Sequence, residues 1–492
     1  MAASARSNSH REYQYSAIDV TLTIGMTDAV VIGSGPNGLS AAIVLAQAGC
    51  KVVVFEANAT AGGGARSAAS TEPGFTHDVC SAVHPFGIAS PFWKTLPLAS
   101  HGLEWIEPDV MVAHPFDDGS AATTVRSLDA TAAALGRDAK AYRNIVGAVV
   151  ADWPRISRAV LGPPAIPRHP FALARFGMRA LRSMQGLATS AFREPRTRAL
   201  LAGIAAHGMR PLDRPLTAGV GLTLGALSHI GGWPIPRGGA QRITDALVAH
   251  LRTLGGEVVT NTRIANVDEL PPAAIVMCDL SPKPLLRIAG HRFPLSYRRA
   301  LERYRYGPGV FKVDWALADR IPWTSADCRR AGTIHLGGTA KEVASWEQDV
   351  WDGTISDRPF VLLSQPTIVD PSRAPAGKHI AWGYCHVPSG STVDMLDRIE
   401  RQIERFAPGF RDRVIARSVT TPATLEAGNA NLVGGDIGAG ALDLGQLFTR
   451  PTWRNYVTPV KGLYLCSAST PPGVGVHGMC GYWAATLALR QV

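Results

Sequence analysis

Residues 28–66 read DAVVIGSGPNGLSAAIVLAQAGCKVVVFEANATAGGGAR, and their order sets the expectation for the rest of the chain. Ala29 to Ile32 is an apolar, β-branched run of the kind buried on both faces of a parallel sheet. Gly33, Gly35 and Gly38 follow in G-x-G-x-x-G spacing. The first glycine permits a tight bend, the second lets backbone approach a pyrophosphate, and the third allows close packing of helix on strand. Pro36 suits the first turn of a helix, where a missing N–H costs nothing. Leu39 to Ala48 predicts a buried helix stopped by Gly49. Val52 to Phe55 predicts a second strand ending at Glu56, where a carboxylate can accept hydrogen bonds from ribose hydroxyls. Asn37 and Ala57, beside the turn and the acid, complete these candidate dinucleotide contacts.

A second glycine turn follows at Gly62, Gly63 and Gly64, with Arg66 just beyond it. Such a turn lets the chain wrap back over a pyrophosphate, and an arginine can hold phosphate by charge-assisted bonds. A simple NAD dehydrogenase has no need of it, so the pattern points to FAD.

The composition excludes several classes. Seven cysteines are scattered without a C-x-x-C pair, which argues for reduced thiols in a cytoplasmic protein and against a disulfide framework or zinc site. No apolar run reaches the length of a membrane-spanning helix. Residues 1–25 are polar and read as a disordered extension, with a small strand at Val20–Ile24 as the alternative. The net charge of +10 is concentrated in residues 155–214, which hold eleven Arg, no Lys and two acids, Glu194 and Asp213. There Leu173, Phe176, Ala180, Met184 and Leu187 recur at helical spacing, with Arg168, Arg175, Arg179 and Arg182 opposite. A basic amphipathic helix of this kind can lie peripherally on an anionic membrane; the alternative is a solvated helix of an ordinary domain. No nucleic-acid-binding module is recognisable in the segment, so no nucleic-acid partner is expected.

Further along, Gln241 to Leu254 predicts a helix, Glu257 to Thr260 a strand and Ala274 to Cys278 another, a unit of parallel-sheet type. Gly309 to Leu317 predicts a strand with one polar face, Lys312 and Asp314 on the same side. Pro388 to Phe406 predicts loop then helix, and Asn431 to Gly440 a flexible glycine-dense turn. Gly462 to Cys466 predicts a short strand, and Tyr482 to Arg490 the last helix. Gly473, Gly475 and Gly478 repeat the G-x-G-x-x-G spacing, but two prolines separate them from their strand. That turn instead could aim backbone N–H groups and a helix start at a flavin ring.

Together, the three glycine blocks and the segments HDVCSAVHPFG (77–87), IPRGGAQRITDAL (235–247), GPGVFKVDWAL (307–317) and GLYLCSASTPPGVGVHGMCGYWAA (462–485) resemble the phytoene desaturase-like FAD oxidoreductases. The resemblance runs from Asp28 to the end of the chain. It implies an α/β fold: a Rossmann-type FAD/NAD(P)-binding domain of glutathione-reductase and amine-oxidase type with an inserted α+β substrate domain. The nucleotide domain would comprise residues 26–70, 230–285 and 440–492, and the substrate domain residues 71–229 and 286–439. By the resemblance, Gly33, Gly35 and Gly38 hold pyrophosphate and Glu56 the ribose. Gly63, Gly64 and Arg66 cover the phosphates, and Ile264 offers backbone to adenine. Ser469 sits near the pyrophosphate, and Gly478 and Met479 lie beside the flavin ring. The middle of the chain and its CSAST–PPG segment depart from the carotenoid desaturases.

The function expected is hydride transfer between C–C bonds of a small lipophilic, isoprenoid-like substrate and flavin N5, in an apolar and dry pocket. Lys312 is the first candidate for a polar group near N5, against an ordinary solvent-facing strand lysine. His477 could shuttle a proton near neutral pH, against a structural hydrogen-bonding role. His77, Asp78 and His84 are weaker candidates, and no metal-ligand cluster is legible. The alternatives are a flavin amine or small-molecule oxidase, an isomerase using reduced flavin, and a non-catalytic lipid- or prenyl-binding protein on the same fold.

Overall fold

The computed structural model describes residues 27–491, so the expectations for residues 1–25 lie outside the described residues. The strands Ala29–Ile32 and Val52–Phe55 form as the pattern predicts, both in a five-stranded sheet. Its order is Leu463–Leu465, Ile275–Cys278, Ala29–Ile32, Val52–Phe55, Glu257–Val259, and every neighbouring pair is parallel. Segments hundreds of residues apart therefore meet edge to edge in one Rossmann-type sheet. The helix Pro36–Gln47 begins on Gly35, with Pro36 in its first turn, and packs against Gln241–Thr253 and Met479–Ala488. That last contact is close: a Cβ on Gly481 would collide with the Asn37 carbonyl. The final helix starts three residues earlier than predicted, because Gly478 at φ +68° takes the left-handed conformation that launches it.

A second sheet has seven strands, in the order Val414–Thr420, Gly309–Leu317, His379–Val387, Val361–Ser364, Ala331–Leu336, Val110–Pro115, Ala121–Thr124. Gly309–Leu317 lies between two neighbours, and all nine of its residues are buried. The polar face expected for it is thus packed against protein. Helix Leu396–Phe406 forms after its loop, as the pattern predicts. The glycine-dense stretch 431–440 is largely buried and forms part of a cavity wall.

The basic segment differs from its sequence reading. It is two helices, Pro170–Ala180 and Met184–Ala191, and Leu216 donates its backbone N–H to the Leu181 carbonyl at the break. Leu173, Phe176 and Ala180 face inward onto the cavity. Arg175 pairs with the buried Asp152, and Arg179 donates to the Asn144 carbonyl. Beside the exposed Arg168 and Arg182, the outside also carries apolar residues: Ile166, Phe171 and Met178 are 96%, 90% and 71% exposed. The stripe found by periodicity thus borders the cavity, a surface that neither sequence reading of the helix anticipated.

Among the described residues no helix is long and apolar enough to cross a membrane, and no His, Cys, Asp or Glu cluster could hold a metal ion. All seven cysteines are free.

Candidate cofactor and substrate site

One cavity of about 970 Å³ runs from the first glycine turn to the seven-stranded sheet. That is the upper end of the range for small-molecule pockets, about 300–1,000 Å³. At one end lie Gly33, Gly35, Pro36, Asn37, Glu56, Ala57, Gly63, Gly64 and Ile264. At the other lie Thr333, Ser364, Trp382 and Tyr384, with Leu173, Phe176, Leu216 and Leu224 along an apolar side.

The glycine end is built by close approach. Gly33 has φ +98°, and a Cβ on Gly38 would strike the Gly33 carbonyl. Gly38 is therefore a packing residue off the cavity wall, holding helix to turn. Gly63 brings the second glycine turn against the first; a Cβ there would lie 3.1 Å from the Gly35 Cα. Glu56 is buried and accepts from Ser34 N and Oγ at 3.1 and 2.6 Å on one oxygen. Its other oxygen accepts from Asn58 N and Nδ2 at 2.8 and 2.9 Å. A ribose hydroxyl would compete there with the side chains of Ser34 and Asn58. Asn37 Oδ1, on the cavity wall and buried, has no partner among the described residues. A cradle without side chains, a positioned acid and an orphaned amide oxygen fit a dinucleotide.

Several expected contacts lie elsewhere. Arg66 is off the cavity wall, its Nε donating to the Gly63 carbonyl at 2.8 Å, so it braces the second turn from behind. Ser469 is buried and donates to the Ala439 carbonyl at 2.8 Å. Gly478 packs on Ser40 and Trp93. The Met479 N–H donates to His477 Nδ1 at 3.0 Å, so the helix start points its first donor at its own turn and not into the cavity. The segment that does line the cavity is Pro471 to His477.

The two catalytic candidates change character. His477 is on the wall, but burial pushes its pKa down to about 4, and Nδ1 is already an acceptor. That describes a neutral, structural histidine. Lys312 is 2% exposed and does not line the cavity. Its Nζ lies 2.5 Å from Asp314 Oδ2 and 5.9 Å from the ring centroid of Trp382, which does line the cavity. His77 stands 3.7 Å from the other Asp314 oxygen, and Asp78 is paired at 2.9 Å with the fully buried Arg373. These groups form an ionic layer behind the wall.

Other wall residues escaped the sequence reading. Asp279 ends the strand Ile275–Cys278 as Glu56 ends Val52–Phe55, and that parallel was the available signal. Its Oδ2 accepts from Gly38 N at 3.0 Å, and burial pushes its pKa up to about 7. Arg450 is buried among the carbonyls of Gly438, Ala439 and Ala468 at 3.0–3.1 Å, pinning the glycine stretch to the C-terminal turn. His207 reaches the cavity with its Nε2 3.0 Å from that of His335. Nothing local marks either residue.

Comparison with known proteins agrees with this geometry. Residues 31–96 match the family model of an NAD(P)-binding Rossmann-like domain. Pyridine nucleotide-disulfide oxidoreductase domain-containing protein 2 of Mus musculus is 27% identical over 94% of both chains. Phytoene desaturase (lycopene-forming) of Pseudescherichia vulneris is 25% identical over 94% of this chain and 99% of its own. The chain is a homologue of these two oxidoreductases. A solved structure of putrescine oxidase superposes with a TM-score of 0.61 at 16% identity, covering 95% of this chain and 99% of that one, so the two share a fold. Homology over nearly the whole length includes the seven-stranded sheet as well as the glycine turns.

Proposed function

We propose that this phytoene desaturase homologue is an FAD-dependent oxidoreductase acting on C–C bonds of a lipophilic substrate. The observation that carries the reading is the continuity of one cavity from a dinucleotide cradle to an apolar chamber. Bound there, the flavin would supply hydride transfer at N5. The chain's own residues do the rest. Gly33, Gly35 and Asn37, on the cavity wall, would border the pyrophosphate, Glu56 the ribose, and the 262–265 segment the adenine. Leu173, Phe176, Leu216 and Leu224 exclude water from the chamber. Lys312 and Asp314 keep the wall behind Trp382 rigid and electrically balanced.

An amine oxidase is the second reading, favoured by the aromatic pair Trp382 and Tyr384, 5.2 Å apart at 76°. Against it, the Trp382 ring already has the Lys312 ammonium beside it. The test is the visible spectrum of purified protein followed by anaerobic titration. Yellow protein bleached by isoprenoid alkenes or alcohols, and not by amines, supports the first reading. A colourless protein that gains no flavin band with added FAD overturns both.

The reading extends to an anionic bilayer as a docking surface. Residues 155–182 carry six arginines and no acid. Ile166, Phe171 and Met178 project from the same segment, and Leu181 is both half-exposed and on the cavity wall. Apolar residues ringed by arginine suit insertion at the headgroup level, where a lipophilic substrate could pass inward without crossing water.

A further inference from the structure

Neighbouring strands of the seven-stranded sheet carry a row of polar side chains. Directly opposed residues of antiparallel strands share a face, with Cβ atoms about 4.5–5.5 Å apart. Thr333 is opposite Ser364, Ser364 is opposite Trp382, and Trp382 is opposite Asp314. The first three line the cavity. They are 5%, 1% and 8% exposed, and Thr333 Oγ1, Ser364 Oγ and Trp382 Nε1 have no hydrogen-bond partner among the described residues. The indoles of Trp93, Trp233, Trp315, Trp323 and Trp483 donate to an oxygen. Trp346 Nε1 and the hydroxyls of Thr124, Thr197 and Thr486 are also unpartnered among the described residues, but none of them borders the cavity, whereas the row's three are adjacent and do.

Buried polar side chains are paired in the large majority of cases, so three adjacent orphans on one wall need a reason. An indole N–H can only donate, while the two hydroxyls can donate or accept. The partner common to all three is an oxygen with free lone pairs. We infer that Trp382, Ser364 and Thr333 form a hydrogen-bonding subsite for a carbonyl or hydroxyl oxygen in the substrate chamber. The substrate is then an oxygenated lipid, not a pure hydrocarbon; this rests on the lipophilic-substrate reading above. A hydrocarbon would leave all three donors buried and unmade, which is the costly state for a polar group. An oxygenated chain satisfies them while its apolar remainder lies along Leu173, Phe176 and Leu224. The row would fix which carbons face the reacting position, because the oxygen end has one place to go.

The test compares 2-nonanone with nonane as ligands of the purified protein, read by intrinsic tryptophan fluorescence, which needs no flavin. The ketone is expected to bind at least tenfold more tightly than the alkane. In Thr333→Val/Ser364→Ala that preference should fall to threefold or less, through weaker ketone binding with alkane binding unchanged. Ser364→Ala alone should give an intermediate ratio, and it serves if the double variant does not fold. Equal binding of the two probes by the native protein, as ordered water in the row would produce, overturns the inference. So does an undiminished preference in the folded variants. The flavin band of the same samples reports separately on the oxidoreductase reading.

Discussion

Lys312 and Asp314 stand on one face of a fully buried strand with Nζ and Oδ2 2.5 Å apart. A lysine at this depth persists only because its partner is two residues away on the same side. Removing one member leaves the other charge buried alone. Lys312→Met should therefore destabilise the protein by about 3–5 kcal/mol, the usual cost of breaking a buried pair. Lys312→Met/Asp314→Leu should recover most of that loss in urea denaturation. Flavin reduction in the folded fraction of the single variant should stay within threefold of native, since Lys312 does not line the cavity.

Acid should unfold this protein early. Burial holds His84, His114 and His477 near pKa 4, and His77 and His207 near 3, against 6.5 for a free side chain. Below pH 6.5 the unfolded chain takes up protons that the folded one refuses. Stability therefore falls as pH drops from about 6.5 towards 3–4, by up to about 1.4 kcal/mol per pH unit for each histidine. The urea midpoint at pH 5 should lie well below that at pH 7.5, and His114→Gln should narrow the gap.

Asp279 acts with the opposite sign. Its carboxyl keeps its proton to about pH 7 when folded, against 3.8 for the free group. Between those values the folded form binds more protons, so stability falls as pH rises towards 7 and then levels. Asp279→Asn removes this dependence. Its melting temperature relative to native protein, measured without added FAD, should rise from pH 4 to pH 7.

Gly38 is intolerant of any side chain, because its Cβ would meet the Gly33 carbonyl. Gly38→Ala should displace the turn that borders the pyrophosphate. The expected result is a folded protein with at least tenfold weaker FAD affinity, measured by quenching of free-flavin fluorescence.

The bilayer surface has its own readout. Phe171→Glu/Met178→Glu changes two largely exposed side chains and should leave melting unaltered. Flotation with phosphatidylcholine–phosphatidylglycerol vesicles should fall at least tenfold relative to native protein. Val393→Glu, an exposed apolar position in another segment, should float as native does. Equal flotation of all three would remove this segment as the anchor.

The nucleotide end of the fold was legible because its signals are local. Gly33, Pro36, Gly49 and Glu56 each act within one turn or strand end, and backbone sterics dictate their residue types. Lys312 and His477 were recognisable as polar residues in telling places, but their roles depend on neighbours. Asp314 and Trp382 surround the one, and the Met479 N–H occupies the other. The row of Thr333, Ser364 and Trp382 could not be read at all. It exists only through the registers of separate strand pairings, and no sequence window contains it. The helix Pro170–Ala180 shows a third limit: a 3.6-residue period finds a stripe, but not whether it meets a cavity or a lipid.

The contact of Gly481 with Asn37 fixes when this molecule can become whole. Synthesis delivers the helix that begins at Pro36 hundreds of residues before the helix that covers it, with the strand Leu463–Leu465 shortly before the latter. A nascent chain that has released its first 450 residues still has an apolar face of its opening helix bare and one sheet edge unpaired. Until residues 463–488 have been made and have packed, the glycine-turn layer lacks one edge strand and one covering helix. Loss of residues 479–488 would leave that face bare permanently.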